Sequence, residues 1–168
     1  MQDHSFSFEI DAKPELVWRA LHPPVRQRAE PGKPRIIEHR DVRIEVLHEG
    51  DEHGDGLIRH CYFRVPRFLF SGGVGQSWEW VTQVVPNVSS HYEAVGKPLW
   101  SRAEGWHRLE DLGGGRTRIH FRETYHVFNP VMRFFLERYV HRFISKDNDV
   151  LIRAAIEQAI ARAHATAR

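Results

Sequence analysis

A single long helix at the end of a chain otherwise written for strands constrains this fold more than any other feature. From Asn129 to about Ala165 the residues are helix formers, Pro130 sits in the first turn, and no Pro or Gly follows. Almost everything between Ile36 and Val127 reads as short strands separated by Gly, Pro and Asn. One earlier strand, Ser5 to Ile10, leads at once into a short helix opening at Pro14, with Asp11 as its candidate cap. The expected class is α+β: a curved antiparallel sheet of about seven strands wrapped around the long C-terminal helix. Short helices follow the first strand, and room for a ligand remains between sheet and helix.

The 168 residues suit one domain spanning the whole chain and can bury a core without staples. The lone Cys61 excludes an internal disulfide and a cysteine-based zinc site. Met1-Gln2-Asp3-His4-Ser5 lacks the basic start and apolar run of a secretory leader, and no apolar stretch approaches the roughly 18 residues of a membrane span. The expectation is a cytoplasmic protein. Net charge is +2, and the Arg residues mostly alternate with Glu or Asp rather than forming a basic stripe, which argues against nucleic acid as a partner.

Ile36 to Leu47 alternates as one strand, with Val42, Ile44 and Val46 on one face. Leu57 to Val65, Ser77 to Val85, Val88 to Val95, Leu99 to Asp111 and Arg116 to Val127 follow, joined by turns at Asp55-Gly56, Pro86-Asn87, Gly96-Lys97-Pro98 and Gly113-Gly114-Gly115. This is a meander that the first strand completes. The proline-rich stretch from His22 to Pro34 links the first helix to the second strand.

On the last strand Ile119, Phe121, Glu123, Tyr125 and Val127 share a face that should point inward. If Leu109 opposes Ile119 across the hairpin, His107 opposes Phe121 and Gly105 opposes Glu123. An acid and an imidazole then lie diagonally on the concave face, with a glycine leaving space beside the acid. Trp78, Trp80, Thr82 and Val84 share another face, also expected inward, as cavity wall or core. A carboxyl in an apolar cavity has its pKa raised toward neutrality, so Glu123 and His107 are the candidate catalytic pair, and Tyr125 could orient a carbonyl or phenol. The competing reading is a structural ion pair between a buried Glu123 and Arg138 or His141.

The terminal helix carries two apolar stripes out of phase. Ile152, Ala155, Ile156, Ala159, Ile160 and Ala163 form one; Met132, Phe135, Leu136, Tyr139, Val140 and Phe143 form the other, close to the opposite side. Either Ser145 to Asp149 breaks the helix, or it runs straight and presents Arg138, His141 and Ser145 to the cavity. In the straight case its outer apolar side would meet a second subunit, a homodimer.

Phe6 to Ile10 followed by Ala12-Lys13-Pro14-Glu15-Leu16-Val17-Trp18, the hairpin Leu109 to Ile119 with Thr117 after the glycines, and the terminal helix together resemble the START-like helix-grip superfamily, closest in pattern to bacterial polyketide cyclase/dehydrase-like proteins. The resemblance covers nearly the whole chain as architecture and has no invariant catalytic motif. It implies a cavity between helix and sheet closed by loops. Phe68, Leu69, Phe70, Gly72, Gly73 and Gly75 would then form a gate, with Lys97 and Pro98 on the facing loop.

His120 and Glu123 point to opposite faces and no helical His pair has metal spacing, so neither a metal nor a cofactor is expected. Gly72-Gly73-Val74-Gly75 lacks the Lys-Ser/Thr of a phosphate loop. The reading is a binding protein for a mostly apolar aromatic, polyketide-like or lipid-like molecule, held by Trp78, Trp80, His107, Glu123, Tyr125, Arg138 and His141. The alternatives are a cyclase or dehydratase using Glu123 and His107, and a co-chaperone-like interaction module using the outer helix face.

Overall fold

The structure, a computed structural model, describes residues 1–22, 34–39, 42–69 and 71–166. Eight strands, β1 (Gln2–Ile10), β2 (Arg35–His39), β3 (Val42–His48), β4 (Ile58–Arg64), β5 (Val74–Val85), β6 (Ser89–Lys97), β7 (Ser101–Gly113) and β8 (Arg116–Val127), form one antiparallel sheet in the order β1-β8-β7-β6-β5-β4-β3-β2. The consecutive strands are a meander, and β1 closes on β8, as expected.

Among the described residues the strands number eight rather than seven, because the run read as Ile36 to Leu47 is two strands. β2 ends at His39 and β3 begins at Val42, with His39 opposite Val42. The alternation does not show that reversal: Asp41 is the one turn-favouring residue between the strands, and no Gly or Pro accompanies it. Of the proline-rich connection, residues 23–33 lie outside the described residues, as does Phe70 of the expected gate.

Helix α1 (Pro14–Leu21) starts as the proline predicts, but its N-cap is Lys13, without a side-chain bond, rather than Asp11. Val17 and Trp18 are buried from it against Ile10, Leu109, Ile119, Phe121, Ile156 and Ile160. Ile119 and Ile156 are enclosed completely, and each such side chain contributes about 1.5–3 kcal/mol of burial. The Thr117 hydroxyl donates to the Ala12 carbonyl at 2.7 Å, fastening the β1–α1 corner to β8.

The terminal helix opens at α2 (Pro130–Met132), where the Asn129 side chain accepts from the Val131 and Met132 amides. A π-helical turn, Arg133–Glu137, follows, and then α3 (Arg138–Thr166) runs without interruption. No break occurs at Ser145 to Asp149. The helix takes the straight course, with His141 and Ser145 buried toward the sheet. One expectation of that course fails: Arg138 is exposed, and Glu137 is the buried residue, only 2% accessible. Glu137 lies four residues before His141, on the same helical side, whereas Arg138 falls at its outer edge. No helix among the described residues is long and apolar enough to cross a membrane.

Candidate functional site

Alternation along β8 and its pairing with both neighbours build the site. The register is the expected one: Leu109 opposes Ile119, His107 opposes Phe121 and Gly105 opposes Glu123. On the other side of β8, His4 opposes Glu123 and Phe6 opposes Phe121. The space expected over Gly105 is taken. Tyr92 of β6 lies opposite Gly105, and a Cβ added there would run into the Tyr92 ring. Glycine at this position is what lets the phenol lie across the sheet beside the acid.

Glu123, His107, Tyr92, His4, Phe6 and Phe121 face Asn148, Asp149 and Ile152 of α3 across a cleft of about 20 Å³, room for one or two waters. The helix contributes directly. Asn148 Nδ2 donates to Glu123 Oε2 at 3.3 Å, and Asp149 Oδ1 pairs with His4 Nε2 at 2.9 Å. Among the described residues no Arg or Lys pairs with Glu123, so the ion pair with Arg138 or His141 does not form. Burial pushes the Glu123 pKa up to about 7 against the Asn148 hydrogen bond, with repulsion from Glu79 adding to the rise. Burial, with nearby His22 and Arg59, lowers His107 to about 3. Its ring stands edge-on to Phe121 at 4.6 Å, and its Nδ1 has no hydrogen-bond partner among the described residues. Near neutral pH the site therefore holds a neutral imidazole and a carboxyl near its midpoint.

A second polar layer continues the concave face. Glu79 opposes Arg59 of β4, and Arg59 Nε donates to Glu79 Oε2 at 2.8 Å. The Ser77 hydroxyl donates to Glu79 Oε1 at 2.6 Å. The Arg59 guanidinium lies 5.8 Å from the centre of the Tyr92 ring, which links this pair to the cleft. Cys61 stands in the same layer, opposite Ser77, its thiol pKa raised by burial and by Glu79.

This layer corrects the expectation for β5. The row Glu79, Ala94, Ala103, Tyr125 shares the face of Glu123, so Trp78 and Trp80 lie on the convex side. Trp78 stacks on His60 at 4.4 Å with Lys97 Nζ 5.2 Å from its ring centre. A face rich in Trp resembles a core in sequence; here cross-strand neighbours half-cover it from outside. Val84 does turn inward toward the core, because the ladder is irregular between Thr82 and Val85, with Gln83 at φ +54°.

Of the other expected residues, Tyr125 is buried with its ring 5.7 Å from His141, one layer along from the cleft. His141 has its pKa lowered by burial and by His4, and lies 3.3 Å from the Ser145 hydroxyl. In the expected gate, Arg67–Leu69 forms a 3₁₀ turn from which Leu69 packs near Leu99, Tyr125, Val127 and Val140, while Phe68 is exposed. Gly72 and Gly73 have positive φ, whereas Gly75 is buried inside β5 against Phe63 and Val65. Pro98 follows β6 in the facing turn. His107 and Glu123 thus meet at one cleft; Arg138, Trp78 and Trp80 do not reach it. Sequence reasoning missed Tyr92, Arg59, Glu79, His4, Asn148, Asp149 and Glu137. For Tyr92 a signal existed, since a glycine facing an aromatic across a strand pair marks a ring laid over the backbone.

No protein-family model and no curated protein sequence matches this chain. Solved structures do. An aromatase/cyclase, Zhui, from Streptomyces sp. R1128 superposes with a TM-score of 0.65 at 16% identity, covering 96% of this chain and 95% of that one. A START superfamily protein from Mycobacterium smegmatis gives 0.63 at 14% identity, covering 95% and 97%. Ara h 8.0201 gives 0.60 at 15% identity, covering 95% and 99%. With an open, curved antiparallel sheet around one long C-terminal helix and a short helix after β1, the chain has the START-like helix-grip fold.

Proposed function

We propose that this chain holds a small, ring-bearing, mostly apolar molecule between the concave sheet and α3, and that the Glu123 carboxyl fixes it. The observation that carries this reading is Glu123 itself: a largely buried acid without a cation partner among the described residues, in a cleft walled by Phe6, Tyr92 and Phe121. Leaving such a group under-satisfied costs about 1–3 kcal/mol, which a ligand hydroxyl or carbonyl would recover. The cleft as it stands admits water only, so entry requires Tyr92 or the loops to shift. Phe68, Leu69, Gly72 and Gly73, with Lys97-Pro98 on the facing turn, are the residues we assign as the gate, and residues 1–168 act as one domain in this reading.

A second reading is turnover, of the cyclase or dehydratase kind. It is favoured by one observation, the pairing of a carboxyl near pKa 7 with a neutral imidazole at the same cleft. The aromatase/cyclase among the structural neighbours agrees with it. Native mass spectrometry of the purified protein, followed by denaturing extraction, is the first test, with an aromatic or polyketide-like mass expected. With that molecule in hand, Glu123→Gln separates the readings. Intact affinity with turnover lost supports the enzyme; weakened affinity without turnover in the wild type supports the binding protein. A wild type that neither carries nor binds such a molecule contradicts both.

A further inference from the structure

The end of the molecule where the terminal helix begins is apolar and uncovered. Phe134, Phe135 and Tyr139 are 82%, 62% and 70% exposed, and Phe128, Val131 and Met132 beside them are exposed as well. The π turn is what leaves the two phenylalanines outside while Glu137 goes in. Neighbouring elements extend the patch. The Trp100 carbonyl accepts from the Phe128 amide, which sets an exposed Trp100 at its edge. A contiguous surface of this kind on a globular protein marks a partner.

The charges around it select that partner. Between Thr124 and Lys146 the single acid is Glu137, and its carboxylate is buried against the Val127 amide, 2.7 Å away, and the N-terminal ammonium, 3.2 Å away. Arg138, Arg142 and Lys146, spaced at one helical turn beside Tyr139, are exposed and make no ion pair among the described residues. A two-fold pairing of this face with itself would bring unneutralised cations together. A sheet of anionic headgroups over an apolar layer satisfies both the aromatics and the cations.

We propose that the exposed face of α2, the π turn and the first turns of α3 docks the protein on anionic lipid bilayers. Co-sedimentation with phosphatidylcholine vesicles holding about 30% phosphatidylserine tests this, against phosphatidylcholine alone and at about 0.05 and 0.5 M salt. Binding to the anionic vesicles at low salt is expected, roughly tenfold weaker on neutral vesicles or at high salt. Phe134→Ser with Phe135→Ser should weaken it about tenfold, and Arg138→Glu with Arg142→Glu by a similar factor. All four residues are on the surface, and far-UV circular dichroism checks that each variant is folded. Wild-type protein that stays in solution with anionic vesicles at low salt would overturn the proposal, as would binding indifferent to both pairs of substitutions. A concentration-dependent dimer in sedimentation equilibrium, lost in the Phe variant, would assign the face to a second copy instead.

Discussion

Replacing Glu123 by Gln keeps the shape of the side chain and its oxygen toward Asn148 while removing the ionisable proton, so it isolates the charge. In the folded protein this carboxyl has a pKa of about 7, against an ordinary value of 4.5. Between those pH values the native state retains a proton that the unfolded chain releases. Stability relative to Glu123→Gln therefore falls as pH rises through this window, and the penalty is complete above pH 7. At about 1.4 kcal/mol for each tenfold difference in proton affinity, the penalty reaches about 3 kcal/mol. Urea denaturation of both proteins from about pH 4 to 8 gives the difference directly. Below about pH 4.5 the two should agree within about 1 kcal/mol, and by about pH 8 the Gln variant should be the more stable by about 3 kcal/mol. A stability difference that stays flat with pH would mean that Glu123 titrates as an ordinary surface acid. The cleft would then leave the Glu123 carboxyl untuned.

Three other perturbations follow from the same geometry. Gly105→Ala pushes a methyl into the Tyr92 ring, and thermal unfolding should register a loss of about 1–3 kcal/mol. Glu137→Ala strands the Val127 amide and the N-terminal ammonium, and denaturant unfolding at neutral pH should show a loss of about 1–3 kcal/mol. Burial would raise the Glu137 pKa, but bonds from Val127, Gln2 and the N-terminus hold it below 4.5. Its stabilisation is therefore present above that pH and lost on acidification, which a pH series comparing wild type with Glu137→Gln detects. Arg59→Leu leaves Glu79 buried without its cation and should cost about 3–5 kcal/mol, whereas Arg59→Leu with Glu79→Leu should recover much of that loss.

Much of the candidate site is legible in the sequence because β8 states its pattern plainly. Four of the five residues that share its inward face from Ile119 to Val127 are apolar, and the glycine run after Asp111 sets the hairpin, so Glu123, Gly105 and His107 follow by counting. β5 illustrates the opposite case. Ser77-Trp78-Glu79-Trp80-Val81 alternates equally well either way, and hydrophobicity alone turns the tryptophans in. The true orientation rests on Arg59, which lies 20 residues away and meets Glu79 only when β4 and β5 pair. A charged side chain reads as solvent-facing until its partner is located, and sequence distance conceals that partner.

The terminal helix divides in the same manner. Its position, length and two conflicting stripes are properties of the sequence, since propensity and period are local. That the conflict resolves without a break belongs to the tertiary structure. A π turn seats Glu137 on the Val127 amide and the N-terminus and leaves Phe134 and Phe135 outside. Local patterning determines which elements form and which residues share a face. Which face is buried, and which acid it encloses, is decided by pairing between strands and helices remote in the chain, because burial of a polar group is favourable only where a distant partner completes its hydrogen bonds.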